Sequence, residues 1–127
     1  MAKILNIVES AYRATLEEQD DTVLWLTHML KNLGADVALL LQGNAVCYLA
    51  KNQDPSGLRF GATSVNHPPA LDSDVVQLVE KNIPVFAVEE DIRERGLSDV
   101  PLVAGFKPVS QRAVAELLDQ HDQVWRW

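Results

Sequence analysis

Apolar runs and helical patterns alternate from one end of this chain to the other. Lys3 to Val8 is a short β-rich run of the kind a buried strand shows. A helical stretch follows. Thr15 and Glu18 have capping-box spacing at its start, and Gly34 is the expected residue just past its end. Within it Val23, Leu26, Met29, Leu30 and Leu33 share one face. Asp36 to Leu41 is apolar at all five positions after the aspartate, which suits a parallel strand covered on both faces. A short helix from Asn44 to Ala50 is expected directly after it.

The rhythm breaks over 51–71, where Pro55, Gly57, Gly61, Pro68 and Pro69 leave no clean period and predict a long loop. Asp72 starts a helix carrying Val75, Val76, Leu78 and Val79. Pro84 to Val88 is a third strand, and Asp91 to Arg95 is a helical turn closed by Gly96. Val100 to Val109 predicts one short strand among turns. Ser110 caps a helix that turns Val114, Leu117 and Leu118 inward, and Gln123 to Trp127 is a terminal strand.

Strands alternating with helices predict a three-layer α/β fold of about five strands, with helices on both faces of a mostly parallel sheet. Right-handed crossovers make it doubly wound and flavodoxin-like, with ligands and chemistry at the carboxyl ends of the strands. Those ends fall at Glu9 to Arg13, at Gln42 to Cys47 (Gly43 and Asn44 included), and at Glu89 to Arg93.

Bulk properties narrow the function. A chain of 127 residues is expected to form one domain over its whole length. A net charge of −7 argues against nucleic acid and against a polybasic membrane anchor. No apolar run approaches the roughly 20 residues of a membrane span. The first residues enter a strand without a secretory leader's pattern, and one cysteine cannot close an internal disulfide. The expected home is the cytoplasm.

Cys47 carries the most interesting chemistry. With Asn44 as N-cap it is the third helical residue, where unpaired amides and the positive helix end favour a thiolate. Lys51 lies four residues on, where its ammonium can approach the sulfur. On an α-helical wheel Ala45, Val46, Leu49 and Ala50 form the apolar arc, while Asn44, Tyr48 and Lys51 form the polar one. Cys47 falls nearer the polar side. The opposing reading is a buried structural thiol, since free cysteine is among the most buried residue types.

The strand and turn Asp36-Val-Ala-Leu-Leu-Leu-Gln-Gly-Asn-Ala-Val46 resembles the second strand and following turn of the DsrE/DsrF/DsrH-like proteins, which include the Tus sulfur-relay subunits. Lys3 to Val8 is similar to that family's first strand. Asn82 to Val88 with Arg95-Gly96-Leu97 is similar to its third strand and short helix, and Asp122 to Trp127 to its last strand. The resemblance spans nearly the whole chain through short motifs. It implies a small subunit of a homotrimer or homohexamer that passes persulfide sulfur between donor and acceptor proteins. Active relays of this kind keep their cysteine after the third strand. Here that stretch is Val88-Glu-Glu-Asp-Ile-Arg93, without sulfur. Two functions follow: a persulfide carrier using Cys47, or a non-catalytic oligomeric scaffold or small-ligand binder on the same fold.

Other candidates are weaker. Glu89, Glu90 and Asp91 suit acid/base work or a cation site, but acids also simply favour a helix start. His28, His67 and His121 lack metal-ligand spacing, so no metal is expected. His67, with Arg59, Thr63 and Asn66, can line a pocket from the long loop. Leu24, Trp25 and His28 fall off the first helix's apolar stripe and, with Trp125 and Trp127, suggest a subunit contact. Phe106-Lys107-Pro108 mimics a response-regulator receiver, but the acidic pair and phosphoacceptor aspartate of such domains are missing. No Ser/Thr/Gly-rich phosphate loop follows the first strand, so no flavin or other cofactor is expected.

Overall fold

A computed structural model describes residues 2–11, 22–53, 59–64 and 70–127. Its main sheet has five strands: β1 (Lys3–Val8), β2 (Asp36–Leu41), β5 (Val85–Val88), β6 (Lys107–Val109) and β7 (Gln123–Arg126). The other two, β3 (Arg59–Phe60) and β4 (Thr63–Ser64), form a separate small hairpin within the stretch expected to be loop. The helices are α1 (Thr22–Asn32), α2 (Leu71–Glu80), α3 (Glu89–Glu94) and α4 (Val114–Asp119), with short 3-10 turns at Gly43–Leu49 and Gln111–Ala113.

All pairings in the main sheet are parallel, in the order β6-β5-β2-β1-β7. The fold is a three-layer, doubly wound α/β sandwich of the flavodoxin-like class. Its winding has a consequence for function. The chain steps one way from β1 through β2 and β5 to β6, then crosses back to place β7 on the far side of β1. Right-handed crossovers therefore put α1, α2 and α3 on one face and α4 on the other. The buried residues divide accordingly. Val23, Leu24, Val75, Leu78 and Ile92 pack with Val8, Leu39 and Leu41, whereas Leu117 packs with Leu5, Ile7, Ala38 and Leu40. The reversal lies between β1 and β7, whereas the flavodoxin order reverses between the first and third strands.

Strand β2 lies in the middle and is fully buried after Asp36, as its unbroken apolar run requires. Helix α1 ends as predicted: Gly34 N–H bonds the Lys31 carbonyl at 2.9 Å and Ala35 N–H the Leu30 carbonyl at 3.0 Å, a Schellman pair. The Thr15–Glu18 capping pair and Arg13 lie outside the described residues. The apolar stripe of α1 needs correction. Leu24 is buried, placed with the core rather than off it, and Leu33 is 83% exposed. The helix packs on α2 as well as on the sheet, so its buried arc is rotated towards α2. Thr27 is also buried there, accepting from Asn6 Nδ2 at 2.9 Å and donating to the Val23 carbonyl at 2.7 Å. Among the described residues, no helix is long and apolar enough to cross a membrane.

Candidate functional site at the strand ends

The carboxyl ends of β1, β2, β5 and β7 form one polar ledge. At its centre the chain leaves β2 through Gln42 and turns at Gly43, whose φ of +57° suits glycine. A Cβ there would sit 3.4 Å from the Glu9 carbonyl oxygen, so the turn is also closely packed against the end of β1. Gly43 N–H, the first free amide of the 3-10 turn, donates to Asp91 Oδ2 at 2.7 Å. Asp91 is thus the anion that fills this turn's N-terminus. Arg95 closes the arrangement, with Nε donating to Asn44 Oδ1 at 2.9 Å and Nη1 lying 3.6 Å from Asp91 Oδ1.

A second cluster sits at the reversal between β1 and β7, where doubly wound sheets open their crevice. Glu9 Oε1 accepts from the Gln42 side-chain amide and from Nε and Nη2 of Arg126, the Nε bond being 2.8 Å. The Arg126 guanidinium, helped by Gln42, holds the Glu9 carboxyl below its ordinary value against the opposing effect of partial burial. Trp127 is fastened beside it: its N–H bonds the Ile7 carbonyl at 3.0 Å, and its indole N–H reaches Asn6 Oδ1 at 3.5 Å. The C-terminal residues therefore wall this end of the sheet. Sequence reasoning placed Glu9, Gln42, Asn44 and Asp91 at strand ends but missed Arg126 as the partner of Glu9 and Arg95 as the partner of Asn44 and Asp91. The only signal for Arg126 was its position in a predicted terminal strand, which the structure pairs with β1.

The turn carrying Cys47 differs from expectation. It is a 3-10 turn beginning at Gly43 with Gln42 as N-cap, so Cys47 is its fifth residue rather than the third after an Asn44 cap. The argument from free amides at a helix start does not apply to the sulfur, because Asp91 takes the free amide at Gly43. The period of three also redraws the wheel. Residues three apart eclipse in this geometry, so 43, 46 and 49 form one row, 45 and 48 a second, and 44, 47 and 50 a third. The first two rows hold Val46, Leu49, Ala45 and Tyr48, all fully buried. Tyr48 is therefore core, not part of a polar arc. The third row is the open one: Asn44 is exposed, and Cys47 and Ala50 are half-buried.

The other predicted site residues separate. Lys51 is exposed, its amide bonds the Pro101 carbonyl at 3.0 Å, and it lines a cleft of about 290 Å³ with Asn52, Asp72 and Val103, a cleft that Cys47 does not border. Of the acidic trio, Glu89 is exposed at the start of α3. Both Glu90 oxygens accept from Gln111 N–H at 3.0 Å. Only Asp91 joins the ledge. Arg59 is exposed in β3, and His67 and Asn66 lie outside the described residues. Among the described residues, no group of three or more His, Cys, Asp or Glu gathers to hold a metal ion.

No family model matches the chain, and no curated protein matches it in sequence. Solved structures do resemble it. The ychN protein of E. coli aligns over 100% of both chains with a TM-score of 0.76 and 21% identity. BT1422 of Bacteroides thetaiotaomicron, a conserved protein of unknown function, gives a TM-score of 0.67 at 14% identity, over 98% of this chain and 95% of its own. MTH1491 of Methanobacterium thermoautotrophicum, also of unknown function, gives 0.60 at 18% identity over 100% of both chains. At such identities the likeness establishes a common fold. The ychN fold is DsrE/DsrF-like, so the architecture agrees with the resemblance seen in the sequence.

Proposed function

We propose that the chain is a small cytoplasmic DsrE/DsrF-like protein of sulfur metabolism that carries sulfur as a persulfide on Cys47. The observation that carries this reading is the position of the thiol. It stands in the one open row of an otherwise buried turn, directly after the central strand and one 3-10 turn from Asn44, which Arg95 holds. A donor can reach this thiol while its neighbours keep the turn rigid.

The chemistry needs no redox cofactor. The Cys47 thiolate attacks the outer sulfur of a donor persulfide, the donor S–S bond breaks, and the donor leaves as a thiolate. Cys47 keeps the sulfur and its proton as a new persulfide, which an acceptor thiolate removes by the same exchange. The donor and acceptor are proteins or small thiols carrying sulfane sulfur. A homotrimer or homohexamer is the assembly in which this subunit works.

Incubation with a persulfide donor followed by mass spectrometry of the intact chain tests this. Wild type should gain one sulfur atom on Cys47, and Cys47→Ala should gain none. A folded wild-type protein that gains no sulfur would overturn it.

A second reading is a non-catalytic scaffold or small-ligand binder. It is favoured by the third strand's end, where Asp91 and Arg95 use their charges on Gly43, Asn44 and each other. The same experiment separates the two.

A further inference from the structure

The cleft of about 290 Å³ beside α2 is bordered by none of the charged groups of the ledge, and its walls are tied to one another. One wall is the chain that leaves the Cys47 turn. There Lys51 N–H bonds the Pro101 carbonyl at 3.0 Å, Val103 N–H bonds the Leu49 carbonyl at 2.8 Å, and an antiparallel bridge joins Ala50 to Leu102 between them. The other wall is the first turn of α2, with Asp72 and Ser73. Asn52 joins the two. At a φ of +64°, which asparagine tolerates, its N–H donates to Asp72 Oδ2 at 3.1 Å. Walls fixed in this way are preorganised for a ligand. Val103 and Val76 add apolar surface, and Val76 is 36% exposed.

Two opposite charges border this cleft without meeting. Among the described residues Lys51 and Asp72 form no ion pair, and the Lys51 ammonium, Asp72 Oδ1 and the Ser73 hydroxyl make no hydrogen bond. We infer that the cleft binds a small zwitterionic amino acid. Its carboxylate pairs with the Lys51 ammonium and accepts from the Ser73 hydroxyl, its ammonium donates to Asp72 Oδ1, and a short aliphatic side chain lies against Val76 and Val103. Charge selects this class. A plain carboxylate or a plain amine meets one opposite and one like charge in the same cleft, whereas a zwitterion matches both. Volume sets the size. The cleft lies at the lower end of the roughly 300–1,000 Å³ typical of small-molecule sites, so the side chain must be short. The site goes beyond sulfur carriage, because Cys47 does not border it.

Titration of the isotope-labelled full chain with L-alanine, followed by NMR of the backbone amides, tests the site. Saturable shifts should appear at Asn52, Ser73, Val76 and Val103. Propionate and ethylamine, which are alanine without its amine and without its carboxylate, should each bind at least about tenfold more weakly, as losing one charge-assisted hydrogen bond requires. Lys51→Met and Asp72→Asn should each weaken alanine by about the same factor. Val76→Phe, which fills the cleft from an exposed helix position, should abolish binding, and the same spectra report whether each variant is folded. The inference is overturned by wild type that shows no saturable shift, or shifts only elsewhere. Propionate or ethylamine binding as tightly as alanine would overturn it too, as would unchanged affinity in folded Lys51→Met or Val76→Phe. Sulfur loading is not read in this titration, so the cleft and the persulfide reading fail or succeed separately.

Discussion

The ends of β2 and β5 lie side by side on the same ledge but are built for different tasks. After β2 the chain makes a tight 3-10 turn with two buried rows and one open row, and the open row holds the thiol. After β5 it enters α3 with three acids, and none of them is left as a group of like charges. Asp91 binds Gly43, Glu90 binds Gln111, and Glu89 remains exposed. The β5 end is therefore a clamp on the β2 end. In relay proteins of the resembling family the β5 end carries the sulfur. Here it supplies the carboxylate that fixes the neighbouring turn, and Cys47, the one cysteine of the chain, follows β2. A strand end that binds its neighbour's backbone leaves its own charges little freedom for other ligands.

The largest effect should come from the buried rows of the β2 turn. Tyr48 is fully buried, so Tyr48→Ala should cost about 3–5 kcal/mol in urea unfolding, the range for emptying a large aromatic site. It should also make Cys47 alkylate faster. A cost near zero would mean that the turn is not anchored as described. Next is the clamp itself. Asp91→Ala removes the acceptor of the Gly43 amide and one partner of Arg95, with an expected loss of about 1–3 kcal/mol. Asp91→Asn should recover part of it, because an amide oxygen still accepts.

Gly43→Ala probes the same joint from the other side. A positive φ in a non-glycine residue costs about 1–2 kcal/mol, and the Cβ meets the Glu9 carbonyl oxygen in close contact. Equal stability of this variant and wild type would show that the turn relaxes.

The smallest effect lies at the reversal between β1 and β7. Glu9 has its carboxyl lowered in the folded chain, so its contribution is fully present above the ordinary carboxylate value. It fades as the pH falls through the lower folded value. The pair is largely exposed, with side-chain exposures of 67% for Arg126 and 39% for Glu9, so the contribution should stay below about 1 kcal/mol. Unfolding of Glu9→Gln should change less with acid over that window than wild type does. Identical slopes would remove Glu9 from the account.

How much of this was legible in the sequence depends on the element. Strand β2 could be placed to the residue, because an apolar run bounded by a charge and a glycine admits little else. The Gly34 cap was equally plain, whereas β6 was only confined to a strand somewhere in Val100 to Val109 and occupies Lys107–Val109. The strand order was not, since periodicity says which segments are strands but not where a crossover reverses. The Cys47 turn was misjudged because an α-helical wheel was applied where the chain adopts a period of three. That error alone moved Tyr48 from core to surface. Arg95 and Arg126 escaped notice because their partners, Asn44 and Glu9, are 51 and 117 residues away in the chain. Long-range pairs of this kind leave no local pattern.

The claim that the thiol and the clamp have separate roles meets its most direct test in sulfur loading. Wild type, Cys47→Ala and Asp91→Asn are each incubated with a persulfide donor, and the intact chains are weighed by mass spectrometry. Wild type and folded Asp91→Asn should each gain one sulfur atom at Cys47, and Cys47→Ala should gain none. Loading of Cys47→Ala, or a folded wild-type chain that takes up no sulfur, would contradict it.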